Sequence, residues 1–355
     1  MRKIAQAFIL GGLLLAGAMA KESKPRYHPG HYVAVKTGQN LKEVAGLKEE
    51  PAIRGVLKRY YWADLEPKKD HYDFSKIVQD LAVLRPMKKQ LVVFVCDKTF
   101  SPRDPNPLPP YMQLFGITNL KGGITAPKWK SEIIDREIAL CKALEKHFGT
   151  DARFEGIAYP ESAPSLNKEA LQASGYTPEK MRDGLKRLLI ESSKALPTAQ
   201  IFWFMNFLPQ NDGSYLAEIA ESVQPYRVVM GGPDILPQRI GLQRGLWLYE
   251  KFNGRLKLFG SMQNDSYRHH SEDLKNSEKQ QYQTGKKPIP PEGYIPLEEI
   301  FQYGRDQMHL NYIFWNYKTW RGKQYFSNPR EWVYDDALKV IRKHPVFNNP
   351  QRSSN

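Results

Sequence analysis

The chain has 355 residues, 41% apolar and 25% charged, with a formal net charge of +14. That is room for one large α/β barrel or for two average domains, and neither of its two cysteines, Cys96 and Cys141, has the spacing of a zinc site or a redox pair. Lys and Arg are scattered and not massed into blocks, so the basic balance reads first as solubility and second as attraction to anionic partners.

The first twenty residues read as a leader. Arg2 and Lys3 precede an apolar run from Phe8 to Leu15, and Ala16-Gly17-Ala18-Met19-Ala20 offers a small-residue cleavage site before Lys21. No cysteine stands there to take a lipid. The expected organisation is a signal peptide over 1–20, one domain over 21–347 and a polar tail over 348–355, in a secreted or periplasmic protein. No later stretch reaches the ~18 uninterrupted apolar residues of a membrane span.

Strand-like and helix-like segments then alternate. His31 to Lys36 predicts the first strand, with a short helix over Leu41 to Leu47. Gly55 to Trp62 is the second strand, followed by a helix over Phe74 to Lys88. Leu91 to Cys96 has no polar alternation and reads as a fully buried strand. Ser131 is a candidate N-cap for a helix whose stripe is Ile134, Ile138, Cys141 and Phe148, with Gly149 to stop it. That places Cys141 on the helix stripe and Cys96 at a strand end, as two buried thiols or, since export permits a disulfide, as one bridge. The fourth strand is Phe154 to Tyr159, and it delivers Glu161 just past Pro160.

Thr177 and Pro178 predict the N-cap and first residue of the next helix, with Met181, Leu185 and Leu188 inward. The remaining pairs are strand Ile201 to Asn206 with helix Leu216 to Val223, and strand Arg227 to Met230 with helix Ile240 to Phe252. After them come strand Leu256 to Ser261 with helix Leu297 to Met308, and strand Asn311 to Trp315 with helix Trp332 to Arg342.

Eight such pairs imply a parallel sheet, and eight strands close as a single (β/α)₈ TIM barrel. No G-x-G-x-x-G follows the first strand, which argues against an open nucleotide-binding sheet. Helix-to-strand connections are short, whereas Asp97 to Lys130 and Asn264 to Pro296 are long strand-to-helix loops. A TIM barrel builds its active site from that second set.

The residues to watch therefore stand at strand ends: Arg59, Trp62, Asp64, Asp97, Lys98, Glu161, Asn206, Asp234, Gln263, Asn264, Asp265, Trp315, Asn316 and Tyr317. Aromatic rings that stack on sugars, amides and acids that bind hydroxyls, and carboxyls that cleave the bond make up a carbohydrate site. His269-His270 lack the i, i+4 spacing of a metal pair, and no metal or other cofactor is expected.

The run Arg59-Tyr60-Tyr61-Trp62-Ala63-Asp64-Leu65-Glu66-Pro67, then His71-Tyr72-Asp73-Phe74, resembles a signature that follows strand two in retaining glycoside hydrolases of clan A. The resemblance is closest to the β-galactosidase-like and cellulase-like barrels. It implies a TIM barrel and a general acid/base at Glu161, the Glu ending strand four. The clan carries Asn directly before that acid, where this chain has Pro160, and a nucleophilic Glu ending strand seven, where this chain has none. Asp265 and Asp234 are the candidates for the second carboxylate, while Glu66 and Asp73 are expected to order their loop.

Together these readings predict an exported glycosidase acting on a polysaccharide or oligosaccharide, with Arg59, Trp62, Asp97, Asn206, Gln263, Trp315 and Asn316 binding substrate. The alternative is a carbohydrate-binding barrel that has lost the strand-seven nucleophile. The expected partner is a carbohydrate, anionic if the charge serves its capture, with neither nucleic acid nor a membrane span, and the oligomeric state is open.

Overall fold

A computed structural model describes residues 25–237, 247–263, 266–267, 295–317 and 333–347. The predicted leader and tail lie outside the described residues. Eight parallel strands close in chain order into one barrel: β1 Gly30–Val35, β2 Ile53–Tyr61, β3 Gln90–Cys96, β4 Phe154–Tyr159, β5 Gln200–Phe204, β6 Val228–Gly232, β7 Lys257–Met262 and β8 Tyr312–Asn316. Strand β8 returns to β1 with Val33 opposite Trp315 and Ala34 opposite Asn316.

Around the barrel run α1 Trp62–Leu65, α2 Ser75–Leu84, α3 Ser131–Phe148, α4 Lys168–Ala173, α5 Pro178–Ala195, α6 Ser214–Val223, α7 Leu297–Asp306 and α8 Val333–Lys343. No helix among the described residues is long and apolar enough to cross a membrane.

The element boundaries depart from the sequence reading where local chemistry overrides periodicity. The helix expected over Leu41 to Leu47 is a single 3₁₀ turn, Leu41–Glu43, capped by Asn40, because a segment this short cannot recover the cost of helix nucleation. Helix α2 ends at Leu84 and not Lys88, since Pro86 has no N–H to continue the ladder and Lys88 turns left-handed at φ 57°. Ser131 is the first helical residue of α3 and not its cap; Lys130 holds the cap position with no side-chain bond. Thr177 does cap α5, accepting the Lys180 amide at 3.2 Å, with Pro178 following it.

Rings fill the barrel. Phe202, Phe204, Phe259, Tyr312 and Phe314 alternate inward with Tyr32, Leu57, Val92, Phe94, Cys96, Ala158 and Val229. Phe259 is the hub, with ring centroids of Phe204 at 4.6 Å, Phe314 at 5.3 Å and Phe202 at 5.8 Å. Space for so many rings comes from small residues beside them. A Cβ on Gly231 would collide with the Phe259 carbonyl and ring. The opposite face of the sheet packs on the helices in the larger cluster, which holds Cys141. The two cysteines therefore lie on opposite sides of the sheet, both buried and unbridged.

At the N-terminal end of the barrel the first described residues form a plug. The Arg26 amide donates to the Thr198 carbonyl at 3.0 Å, and Gln200 Nε2 donates to the Arg26 carbonyl at 2.5 Å. The fully buried Glu155 accepts the His28 amide at 2.8 Å and the Tyr312 hydroxyl at 2.7 Å, with His28 Nδ1 at 2.7 Å from its other oxygen.

Two further polar networks tie loops to α3. Arg136 holds Glu66, Asp70 at 2.8 Å, and the hydroxyls of Tyr111 and Tyr72 at 2.9 and 3.3 Å. Glu66 also accepts the Trp62 indole N–H at 3.1 Å, and Asp73 accepts the Ser75 amide at 2.9 Å. Glu66 and Asp73 thus order their loop, as expected.

The second network is a buried triad in which the Lys128 ammonium lies between Asp97 and Glu137. Burial opposes the Lys128 charge, yet Asp97 and Glu137 outweigh it and hold the ammonium above the usual lysine range. Burial pushes the Glu137 carboxyl up to about 8, against the pull of Lys128 and with the added repulsion of Asp97. With its proton on, Glu137 adds no charge to the Lys128–Asp97 pair.

Two outcomes follow for stability. Phe259→Ala empties the hub of the interior and should cost about 3–5 kcal/mol in urea unfolding. Because the folded Glu137 binds its proton more tightly than the unfolded one, its contribution is present in acid and is lost as pH rises to about 8. Urea midpoints of the parent should therefore fall relative to Glu137→Gln across that rise, and parallel curves would exclude a proton held on Glu137.

Candidate active site

Pro160 ends the β4 ladder because it brings no amide N–H, and the chain turns outward at once. Glu161, half-buried, then stands at the C-terminal mouth of the barrel. Its loop is stitched to the next strand: the Ser162 amide donates to the Phe204 carbonyl at 3.1 Å, and Ser162 Oγ accepts the Asn206 amide at 2.9 Å.

That stitch aims the Asn206 side chain. Its Oδ1 accepts the Phe207 amide at 2.9 Å, so Nδ2 is the atom turned toward Glu161, donating to Oε2 at 2.7 Å. Asn206, expected as the last residue of its strand, lies two residues beyond the observed end of β5.

The other side of the loop is held by the long connection after β3. Lys98 Nζ donates to the carbonyls of Glu161 at 3.3 Å and Ala163 at 2.8 Å. Thr125 Oγ1 donates to the Pro164 carbonyl at 3.0 Å, and the Leu120 amide to the Ser165 carbonyl at 2.9 Å. Ser165 itself takes a left-handed φ of 58°, a conformation that costs free energy outside glycine and is kept by these surrounding bonds.

Among the other expected residues, Arg59 is half-buried with its guanidinium 5.1 Å from the Phe94 ring centroid inside the barrel mouth. Asp234 follows β6 half-buried at φ 55°, a left-handed conformation that Asp tolerates better than most residues. Gln263 and Asn316 are half-buried at the ends of β7 and β8. Asp265 lies outside the described residues, as do His269 and His270.

Three expected substrate contacts are corrected. Trp62 is fully buried with its indole N–H spent on Glu66, so it packs loop against barrel and offers no face to a sugar. Trp315 is likewise fully buried on the outer face of β8, where its indole N–H donates to His31 Nδ1 at 3.0 Å. His31 Nε2 in turn donates to the His344 carbonyl at 2.8 Å, and burial drops the imidazole to about 4, which keeps it neutral for both bonds. Asp97 is 2% exposed and committed to Lys128, away from any ligand.

Residues that the strand-end reading passed over include Tyr61 and Ser162. Tyr61 shares the inward phase of Leu57 and Arg59 along β2, so alternation alone could have found it. Burial, then Asp104 and Cys96, raise its hydroxyl above the usual tyrosine range. Ser162 carries no such signal, because its role depends on the exit of β5, while Lys98, expected at the end of the third strand, acts on a loop far along the chain. Among the described residues, no group of three or more His, Cys, Asp or Glu could hold a metal ion.

No family model matches the chain, and no curated protein matches it. Solved structures match in shape. A β-galactosidase from Bacillus circulans sp. alkalophilus aligns at 9% identity over 89% of this chain and 55% of its own, with a TM-score of 0.53. A β-galactosidase from Rahnella sp. R3 aligns at 10% identity over 91% and 56%, with a TM-score of 0.52. Endo-glycoceramidase II from Rhodococcus sp. aligns at 9% identity over 87% and 78%, with a TM-score of 0.51. The chain spans little more than half the length of the two β-galactosidases. At such identities the likeness is one of fold, a (β/α)₈ barrel.

Proposed function

We propose that the chain is an exported glycoside hydrolase in which Glu161 is the general acid/base on a polysaccharide or oligosaccharide. The observation that carries this reading is a half-buried carboxyl at the C-terminal end of β4, oriented by Asn206 at 2.7 Å in a loop bonded on both sides. An acid fixed in that way can meet a glycosidic oxygen with little reorganisation. The Asn206 amide supplies from β5 a neighbour that the clan places directly before its acid, where Pro160 stands here.

The second carboxylate in this reading is Asp265 or Asp234. With retention of configuration, as in the clan, Glu161 would face it at about 5–5.5 Å, and the first residue would act as acid and then as base. No cofactor is called for. The positive charge of the chain draws in substrates that carry carboxylate or sulfate groups.

Glu161→Gln keeps the shape and removes the proton donor. Turnover of a cleaved glycan should fall by about 10²–10⁴-fold, with melting temperature and glycan affinity nearly unchanged. Full activity in this variant would end the hydrolase reading, and glycan binding by a parent with no turnover would turn it to a binding barrel. Asn206→Ala should lower turnover by about tenfold or more, as expected for losing one charge-assisted hydrogen bond. If charge serves capture, affinity for an acidic glycan should fall steeply between low and high salt, whereas a neutral glycan should bind equally at both.

A further inference from the structure

Lys98 is a buried cation that packing alone leaves unexplained. It is 7% exposed, and its ammonium is satisfied by the Glu161 and Ala163 carbonyls, with the Phe100 ring centroid 4.9 Å away. Among the described residues no carboxylate lies within ion-pair distance of it. Burying a charge without a direct counter-ion is costly. Pinning two carbonyls needs no charge, since Thr125 and Leu120 do the same for the next two residues with a hydroxyl and an amide.

The charged groups around Lys98 are few. Burial lowers its pKa from the ordinary lysine value, opposed first by Glu161 and then by Asp97, while Lys128 and Lys121 add to the lowering. Asp97 already belongs to the Lys128 triad. That leaves Glu161 as the carboxylate in electrostatic reach of Lys98 without a cation of its own among these groups.

We propose that Lys98 is a positioning residue for Glu161, pinning the backbone on either side of Ser162 and setting a fixed positive charge beside the acid. The catalytic part of this inference rests on the reading of Glu161 as acid/base. A cation in this place attracts the carboxylate that the water-activating half of a retaining cycle uses. The two carbonyl bonds keep that carboxyl aimed at one place through both halves.

The test uses protein labelled with ¹³C at the glutamate carboxyl, with the Glu161 resonance assigned by its disappearance in Glu161→Gln. In Lys98→Met the pH at which that resonance shifts should rise by about half a unit or more, because a neighbouring cation has gone. In Lys98→Arg it should stay near the parent value. On a cleaved glycan, Lys98→Met should lose about tenfold or more in kcat with KM little changed, as expected for a misaimed acid.

Melting curves check that each variant folds, and Lys98→Gln replaces Lys98→Met if the latter does not. Coincident titrations in the parent and the uncharged variant would overturn the proposal, and so would unfolding of both uncharged variants, which would make Lys98 a purely structural residue. The titration needs no turnover, so its failure speaks of Lys98 alone, whereas an active Glu161→Gln speaks against the hydrolase reading.

Discussion

Eight parallel strands can close on themselves only if the space they enclose is filled, and here it is filled by aromatic rings. Phe202, Phe204, Phe259 and Phe314 come from three strands and meet edge to face, the geometry that ring quadrupoles favour. Such a plug is stiff, because each ring is locked by the next and interiors packed this densely do not yield continuously. The mouth of the barrel is built on the last layer of that stack, where Phe94 and Phe204 meet at 5.4 Å. Arg59 lies over the first of these rings, and the carbonyl of the second anchors Ser162.

The geometry at Glu161 is inherited from that floor. A loop usually owes its conformation to its own turns, but the segment from Glu161 to Ser165 gives nearly all its hydrogen bonds to other loops. The β5 exit takes one side, and the long β3 connection takes four carbonyls on the other. The acid is held like a residue in a strand while remaining open to the cleft. That arrangement suits catalysis, in which misplacement by an ångström is expensive.

Much of this was legible in the residues. The alternation of periods along the chain specifies eight strands and their order, and Pro160 after an apolar run marks where Glu161 emerges. The phase of each strand was harder. In Tyr312-Ile313-Phe314-Trp315-Asn316 every position is large or polar enough to face either way, and only the register against β1 and β7 turns Phe314 inward and Trp315 out. The signature around Trp62 was read correctly as a mark of the fold, but its Glu and Tyr hold Arg136, which stands on a helix far along the chain, and its Trp holds that Glu. Asp97 misled for the same reason: Lys128 pairs with it, and nothing near it in sequence announces that partner.

The plug at the N-terminal end bears on how the protein can be handled. Residues 26–28 are bonded to Thr198, Gln200, Glu155 and, through Glu155, to Tyr312. The described chain therefore begins at the end of the barrel opposite Glu161. A tether joined to residue 25 would leave from that end, so a surface-immobilised molecule would present its mouth outward to large polymers. The same bonds join the first described residues to the last strand. The seam therefore closes only when both have arrived, a long-range contact of the kind that makes folding slow.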